Sequence, residues 1–441
     1  MQTCSEIIWA LFKSKKETKV NSDKVYFGWW IVLGVFLSFS VSTGVFIIYN
    51  MGVFIKPIAE TLSVSRGKVT FGVTIATMMG LISLPIIGRL VDRFGPVKVL
   101  LPSIFALAAC LASMYWVTNL VIFYIICGCM NTFGTGIGPV SLVSVIVRWF
   151  DKRRGIALGL ALCGMGLGAT VMPLVSQALI SRYGWQTTFI VLAAVVLVVA
   201  LPVWKFILRD KPEDLGLRVD GDAVLGVNAP RAPLLGISIK DALRSKVFWL
   251  MAVSFFLTAA VIPGTLIHMV PMLTDRGFTP EQASHYAAIT GISLMVGRII
   301  SGYSLDVLFA PYVAIVFWVL PVVGVYQLST GVADHFLVPA VVAIGLALGA
   351  EFELIAYFVG RYFGLKNYGV IYGIMFSAFS LGAGAGPAMI GHLFDLQGSY
   401  LFLPWLYVGA VSVACVFMLF LGGYPDWSRS VVGGNNTTAT A

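Results

Sequence analysis

The sequence predicts an all-α membrane protein: twelve transmembrane helices arranged as two pseudo-symmetric six-helix bundles. Three observations carry that expectation. The composition is too poor in charge for a water-facing exterior, about twelve apolar windows are long enough to cross a bilayer, and a repeat relates the two halves of the chain.

Of the 441 residues, 59% are hydrophobic and only 11% charged, with a mean hydropathy of +0.92. A soluble domain carries roughly a quarter of its residues as charges, so lipid must be the solvent of this chain. The formal charge of +9 does not point to nucleic acid, because the basic residues fall in short clusters between apolar runs and not on one folded face. Five of the six cysteines (Cys110, Cys127, Cys129, Cys163 and Cys415) lie inside apolar runs, and Cys4 lies outside. They read as free thiols behaving like small hydrophobes. The spacing of Cys127 and Cys129 points them to different sides of a helix, against a metal site.

A span needs about 20 apolar residues. Windows of that length fall near 28–52, 67–91, 97–117, 119–147, 155–181, 185–208, 247–273, 281–305, 311–331, 335–360, 368–393 and 400–422. The domain organisation follows: a basic N-terminal segment 1–27, a six-helix bundle 28–208, a polar central loop 209–246, a second bundle 247–423 and a tail 424–441. No cleavable signal peptide is visible in the first segment. Its stretch Ile7-Ile8-Trp9-Ala10-Leu11-Phe12, ahead of Lys13, Lys15, Lys16, Lys19 and Lys24, could lie on an anionic leaflet or form a basic tail.

Orientation follows the lysines and arginines. With the N-terminus inside, about 23 of the 29 lie on the cytoplasmic side and about 5 (Lys56, Arg66, Lys68, Arg182 and Arg276) outside, leaving Arg298 in mid-membrane. The expected placement is a multi-pass protein of a bacterial inner membrane with both termini cytoplasmic. The tail's Asn435-Asn436-Thr437 would then never meet a glycosylation enzyme.

The repeat has an offset of 214 residues. Gly88 and Asp92 map to Gly302 and Asp306, and Gly155, Gly159, Gly168, Pro173 and Gly184 map to Gly369, Gly373, Gly382, Pro387 and Gly398. Arg148-Trp149-Phe150 maps to Arg361-Tyr362-Phe363 with one residue of slippage. Each half holds an even number of spans, so both insert the same way up. Parallel repeats place a binding site at their interface near the midplane.

The turn Gly88-Arg89-Leu90-Val91-Asp92-Arg93-Phe94-Gly95-Pro96-Val97-Lys98 brings a small residue and a fixed carboxylate to the membrane edge. Glycine allows close helix approach, and Asp92 would suit a positively polarised helix N-terminus of the other half, near Lys366 to Tyr368. Such a lock would close the cytoplasmic side, with Gly88, Asp92 and Arg93 on one half and Gly302 and Asp306 on the other. The alternative is a solvated loop with ordinary cytoplasmic charge.

That turn resembles the loop signature of the major facilitator superfamily, and the copy ending at Asp306 sits where the superfamily repeats it. More narrowly, Arg148-Trp149-Phe150-Asp151-Lys152-Arg153-Arg154-Gly155-Ile156-Ala157-Leu158-Gly159 resembles the entry to the fifth helix in the monocarboxylate transporter and oxalate:formate antiporter group. Tyr26-Phe27-Gly28-Trp29-Trp30 and Arg361-Tyr362-Phe363-Gly364-Leu365 are similar to motifs of the same group. The resemblance runs from about Tyr26 to Gly422. It implies the major facilitator fold and a gradient-driven transporter that works by alternating access.

Arg298 lies about 12 Å into the membrane from Asp306. A central arginine costs roughly 2.5–3.5 kcal/mol on insertion scales, which calls for a counter-charge. One turn away on its own helix lie Leu294, Met295, Ser301 and Gly302, none anionic. The partner must come from another helix or from the substrate. Guanidinium grips a carboxylate bidentately, so Arg298 is a candidate binder of an organic anion, and the resemblance implies an arginine at this place. The competing expectation is a structural pair with Glu351 or Glu353.

Those two glutamates diverge by about 200° on one helix, so they cannot both face one point. A carboxyl balanced between desolvation, which favours its neutral form, and an arginine, which favours its charged form, could load and release a proton. A static salt bridge is the alternative. Tyr49, Asn50, Asn131 and His268 are the further candidates for lining the cavity. Some members of the group carry a cavity lysine in the first or eleventh helix. Both spans lack one here, which argues for a monoanion over a dianion.

The expected function is secondary active transport of small, monocarboxylate-like organic anions by proton symport or anion exchange. The alternatives are a carrier of the same architecture exporting apolar or cationic compounds, favoured if Arg298 is paired, a non-transporting membrane sensor, and a membrane-embedded enzyme. Gly164-x-Gly166-x-Gly168 is no nucleotide fingerprint, since no strand precedes it. The sequence calls for no metal, no cofactor and no nucleic-acid partner. It reads as a monomer in a lipid bilayer, with an organic anion and a proton or exchanged anion as partners.

Overall fold

The computed structural model describes residues 26–221, 235–331 and 336–425. The apolar stretch 7–12, the basic residues before Tyr26 and the tail acceptor at Asn435 lie outside them. The described residues form twelve spans: α1 Gly28–Leu62, α2 Arg66–Phe94, α3 Pro96–Trp116, α4 Leu120–Trp149, α5 154–183, α6 185–207, α7 Lys246–Asp275, α8 Pro280–Val307, α9 Ala310–Thr330, α10 Leu337–Phe363, α11 Tyr368–Gln397 and α12 Leu403–Leu419. Gly184, at φ 79°, divides α5 from α6, a conformation open to glycine. Ser65, Asn119 and Ser245 cap α2, α4 and α7 with their side-chain oxygens, and Thr279 and Gln282 form a capping box on α8.

Two spans depart from the expected continuous helix. α1 is α-helical over Gly28–Ser40, π-helical over Val45–Asn50 and tighter over Met51–Phe54, then runs on to Leu62, ten residues past its apolar window. Lys56 and Glu60, an exposed pair one turn apart, mark its emergence from lipid. α4 breaks at Thr135–Ile137 and resumes at Pro139. Proline there has no N–H to give and disfavours helical geometry at Gly138. The two breaks meet: Thr43 Oγ1 donates to Gly134 O at 2.5 Å.

Within each half the same helices pair. α1 packs on α5 and α2 on α4 in the first, matched by α7 on α11 and α8 on α10 in the second. Bare backbones make these approaches possible. A Cβ on Gly164 would stand 1.9 Å from Phe36 O, and one on Gly386 would stand 1.9 Å from Ala260 O. The halves meet through α2 against α11 and α5 against α8.

These cross-half contacts run from the terminal side of the membrane, where α1 begins and α12 ends, inward to the level of Met295 and Ser377. Farther out, Gly291 of α8 and Gly384 of α11 have open space where a side chain would begin.

The central loop clasps each half separately. Asp210 accepts Val97 N–H at 2.9 Å, and Asp220 accepts the N–H groups of Asp151 and Lys152. The second arm reaches the other bundle: Ile237 N–H donates to Phe363 O and Leu365 N–H to Leu235 O.

Candidate functional site

A cavity of about 130 Å³ lies between the halves, where the breaks in α1 and α4 face α10 and α11. Its wall includes Thr43, Gly44, Ile47, Ile48, Thr77, Leu81, Asn131, Thr135, Met165, Phe352, Phe376 and Ser380. The hydroxyls of Thr43, Thr77, Thr135 and Ser380 each donate to a carbonyl of a span, as does one N–H of Asn131, to Ala76 O at 2.6 Å. The wall is apolar surface with hydrogen-bond donors already committed to backbone.

Arg298 sits beneath this cavity and not in its wall. It is 3% exposed, its guanidinium carbon lies 5.3 Å from the centre of the Phe352 ring, and Phe352 lines the cavity. The counter-charge comes from another helix: Arg298 Nη1 donates to Glu353 Oε1 of α10 at 3.3 Å. This single bond leaves Arg298 Nε, Glu353 Oε2 and the hydroxyl of Tyr372 buried without hydrogen-bond partners. Tyr372 of α11 lies within electrostatic reach of both charges. An arginine held by one hydrogen bond and by the Phe352 ring between it and the cavity is a donor set only partly used.

Glu351 points elsewhere, as two-residue spacing on a helix requires. It is 2% exposed, with Oε1 unpartnered; it makes no hydrogen bond to Arg298 but lies within electrostatic reach of it and of Tyr407, whose hydroxyl donates to Trp318 O.

Of the other expected cavity residues, only Asn131 lines the wall. Tyr49 is exposed and Asn50 is buried with Oδ1 unpartnered, and neither lines the cavity. The π-helical turn widens the backbone repeat over Val45–Asn50, so the face that a plain α-helix would give to Tyr49 falls to Ile47 and Ile48. His268 is a helix contact. Its ring nitrogens lie 2.9 Å from Pro387 O and 3.1 Å from Tyr400 Oη, tying α7 to α11 and to the turn before α12.

At the terminal face the two aspartates make reciprocal contacts. Asp92 accepts the N–H groups of Gly369 and Val370 at 2.7 and 2.9 Å, and Asp306 those of Gly155 and Ile156 at 2.6 and 2.9 Å. Each carboxylate therefore meets the positively polarised start of a helix in the other half. Gly88 faces Gly369 and Gly302 faces Gly155 so closely that a Cβ would stand 2.2 and 2.4 Å from the opposing carbonyl oxygens. Arg93 takes no part; its guanidinium lies over Phe94 on its own helix at 5.1 Å, because its position next to Asp92 turns it away from the seam.

A further cross-half contact escaped the sequence reading. Asp151, in the turn before α5, bridges Arg154 of its own half and Arg361 of α10, both at 3.1 Å. The signal was present in the repeat, which sets Arg361 opposite Arg148, but spacing alone names no partner.

Two duplicated helical bundles, joined by a hydrogen-bonded seam and enclosing a cavity beside buried charge, have the architecture of a membrane transporter. A family model described as Major Facilitator Superfamily matches residues 31–387. The chain belongs to that superfamily. It is 27% identical over 386 residues to Monocarboxylate transporter 13 of Bos taurus, covering 85% of this chain and 84% of the relative. It is also 22% identical over 339 residues to the uncharacterized MFS-type transporter YhjX of Escherichia coli, covering 76% and 81%. The fold superposes on the proton:xylose symporter XylE with a TM-score of 0.72 at 13% identity, covering 90% of this chain and 96% of that one. With the fucose:proton symporter FucP of E. coli the TM-score is 0.65, again at 13% identity.

Proposed function

We propose that this chain is a secondary active transporter of small, monocarboxylate-like organic anions, carried with a proton or in exchange for another anion by alternating access. One observation carries the reading: a buried arginine, bound through a single hydrogen bond, lies against an aromatic residue that lines the central cavity. The likeness to monocarboxylate transporters supports it. The terminal face is cytoplasmic in this proposal, so the closed seam belongs to an outward-facing state, and the bundles 28–208 and 247–423 rock about the cavity.

The chemistry follows from charge balance. With Arg298 and Glu353 paired, the site is neutral. A proton delivered to Glu353 breaks the ion pair and frees the guanidinium, which takes the substrate carboxylate once Phe352 moves aside. The loaded site holds a cation, an anion and a neutral acid, and is neutral again. Symport of one proton with one monoanion is therefore electroneutral, and the site never crosses the membrane with an unpaired charge. Glu353 is the coupling group in this scheme, and Glu351 is a structural acid of the second bundle.

Uptake of radiolabelled pyruvate, lactate and butyrate into proteoliposomes tests the proposal, with and without an inward proton gradient. The parent should accumulate an acid with the gradient. Arg298→Ala should abolish uptake, and Glu353→Gln should retain anion exchange while losing the response to the gradient. Undiminished uptake by Arg298→Ala would sink the proposal.

The Arg298–Glu353 pair also favours a second reading, in which it is static and the apolar wall carries apolar or cationic compounds outward. In that case a panel of lipophilic cations moves while every carboxylate fails.

A further inference from the structure

A second concave site opens toward lipid, on the outer side of the first bundle. It is a groove of about 500 Å³ between α2 and α3, walled by Ile87, Leu90, Phe94, Pro102 and Phe133, with Lys98 at its terminal end. The broken fourth helix creates it. Below Gly138, α4 retreats into the bundle, and every residue from Val140 to Trp149 is buried. Among the described residues the space between α2 and α3 is left as a groove on the membrane side, bordered by Thr132 and Phe133 of α4. Leu90, Phe94 and Phe133 stand exposed along it.

We propose that this groove is a binding site for an anionic glycerophospholipid, with one acyl chain between α2 and α3 and the phosphate on Lys98. Length and charge both fit. From Lys98 to Ala106 the α3 wall rises about 12 Å, close to the depth of one leaflet of a hydrocarbon core about 30 Å thick. The wall over that depth is mostly apolar, the hydroxyls of Ser103 and Thr132 donating to carbonyls of their own helices, and the cation Lys98 sits at the headgroup end. Arg93 lies over the ring of Phe94, which lines the groove. The nearby carboxylate, Asp210, accepts Val97 N–H and lies within electrostatic reach of Lys98, so it offsets part of that charge, and Arg93 adds a second cation at the mouth. A zwitterionic lipid would bring its own cation to these two and gain less.

The test uses the full chain, purified in mild detergent and equilibrated with equimolar phosphatidylglycerol and phosphatidylcholine of matched chains. Bound lipid is read by native mass spectrometry. The parent should retain phosphatidylglycerol at least about fivefold over phosphatidylcholine. The exposed substitutions K98Q and R93Q together should bring the ratio near one. K246Q, an exposed basic residue at the start of α7 in the other bundle, should leave it unchanged. A106F should reduce retention of both lipids by filling the groove; the charge variants decide the matter if it does not fold. Equal retention by the parent, or a preference that survives K98Q with R93Q, overturns the proposal, as does a preference lost in K246Q.

Discussion

The Asp306 carboxylate takes the backbone N–H of Gly155, 151 residues away in the other half, at 2.6 Å. Its repeat partner Asp92 takes that of Gly369 at 2.7 Å. Hydrogen bonds to a charged group contribute about 1.5–3 kcal/mol each, so losing one aspartate should favour the open terminal face by on the order of 30-fold if about 2 kcal/mol is lost. Leu84, buried against Gly373 in the same seam, reports the opening. With Leu84→Cys as the only thiol, Asp92→Ala or Asp306→Ala should raise its rate of labelling by an impermeant reagent from the terminal side. An unchanged rate would remove the lock from the mechanism.

The glycines beside these aspartates should be required for closure and not for folding of each bundle. A Cβ on Gly155 would meet Gly302 O at 2.0 Å, across the seam. Overpacking of this kind costs about 1–3 kcal/mol, and it falls on the closed state alone. Gly155→Ala and Gly302→Ala should therefore express like the parent while transport drops by about tenfold or more. Gly409→Ala, where a Cβ meets nothing within 4 Å, should transport normally. Loss of expression in the seam variants would show that the contact is needed for folding.

The fold was legible because two of its determinants are written residue by residue. Apolar runs report spans directly, and the glycines and aspartates of the seam recur at one offset because both copies meet the same geometric demand. Even the helix start that receives Asp92 was readable, since dipole and charge leave few choices. The cavity was not. Its wall depends on the π turn in α1 and the break in α4, and each rotates a helix face by an amount that residue spacing does not encode. Hence Ile47 and Ile48 took the place expected of Tyr49 and Asn50. For Arg298, the sequence narrowed the partner to Glu351 or Glu353, and only the rotation of α10 selected Glu353.

That pair gives a prediction separating stability from transport. Removing one partner of a buried pair leaves an uncompensated charge, at about 3–5 kcal/mol, whereas replacing both with apolar residues is often neutral. Arg298→Leu alone should lower the apparent melting temperature in detergent, and Arg298→Leu with Glu353→Leu should restore it. Neither should carry a carboxylate. A double variant that is both stable and active would make the pair a structural element only.

The cavity should also discriminate by charge number. Its hydroxyls are spent on backbone carbonyls, and the Arg298 guanidinium beside it can satisfy one carboxylate. A second buried carboxylate without a partner costs several kcal/mol. Succinate should compete with butyrate on the order of a hundredfold less well than butyrate itself in proteoliposome uptake. Equal competition would place a second cationic group at the site.

Asp210, in the first arm of the central loop, should make stability depend on pH. Burial pushes its carboxyl above the usual carboxylate range, opposed by the Val97 N–H bond and by Arg148, which pull it down. With the folded value above the unfolded one, the contribution is fully present below the ordinary carboxyl value near pH 4 and is lost as pH rises through the folded value. Asp210→Asn keeps an oxygen for Val97 N–H and removes the titration. At pH 4 the variant and parent should melt together in detergent. Toward neutral pH the variant should become the more stable, by a margin that widens and then levels. A difference that stays constant across the range would mean that Asp210 is charged at no cost and that the clasp rests on its remaining contacts.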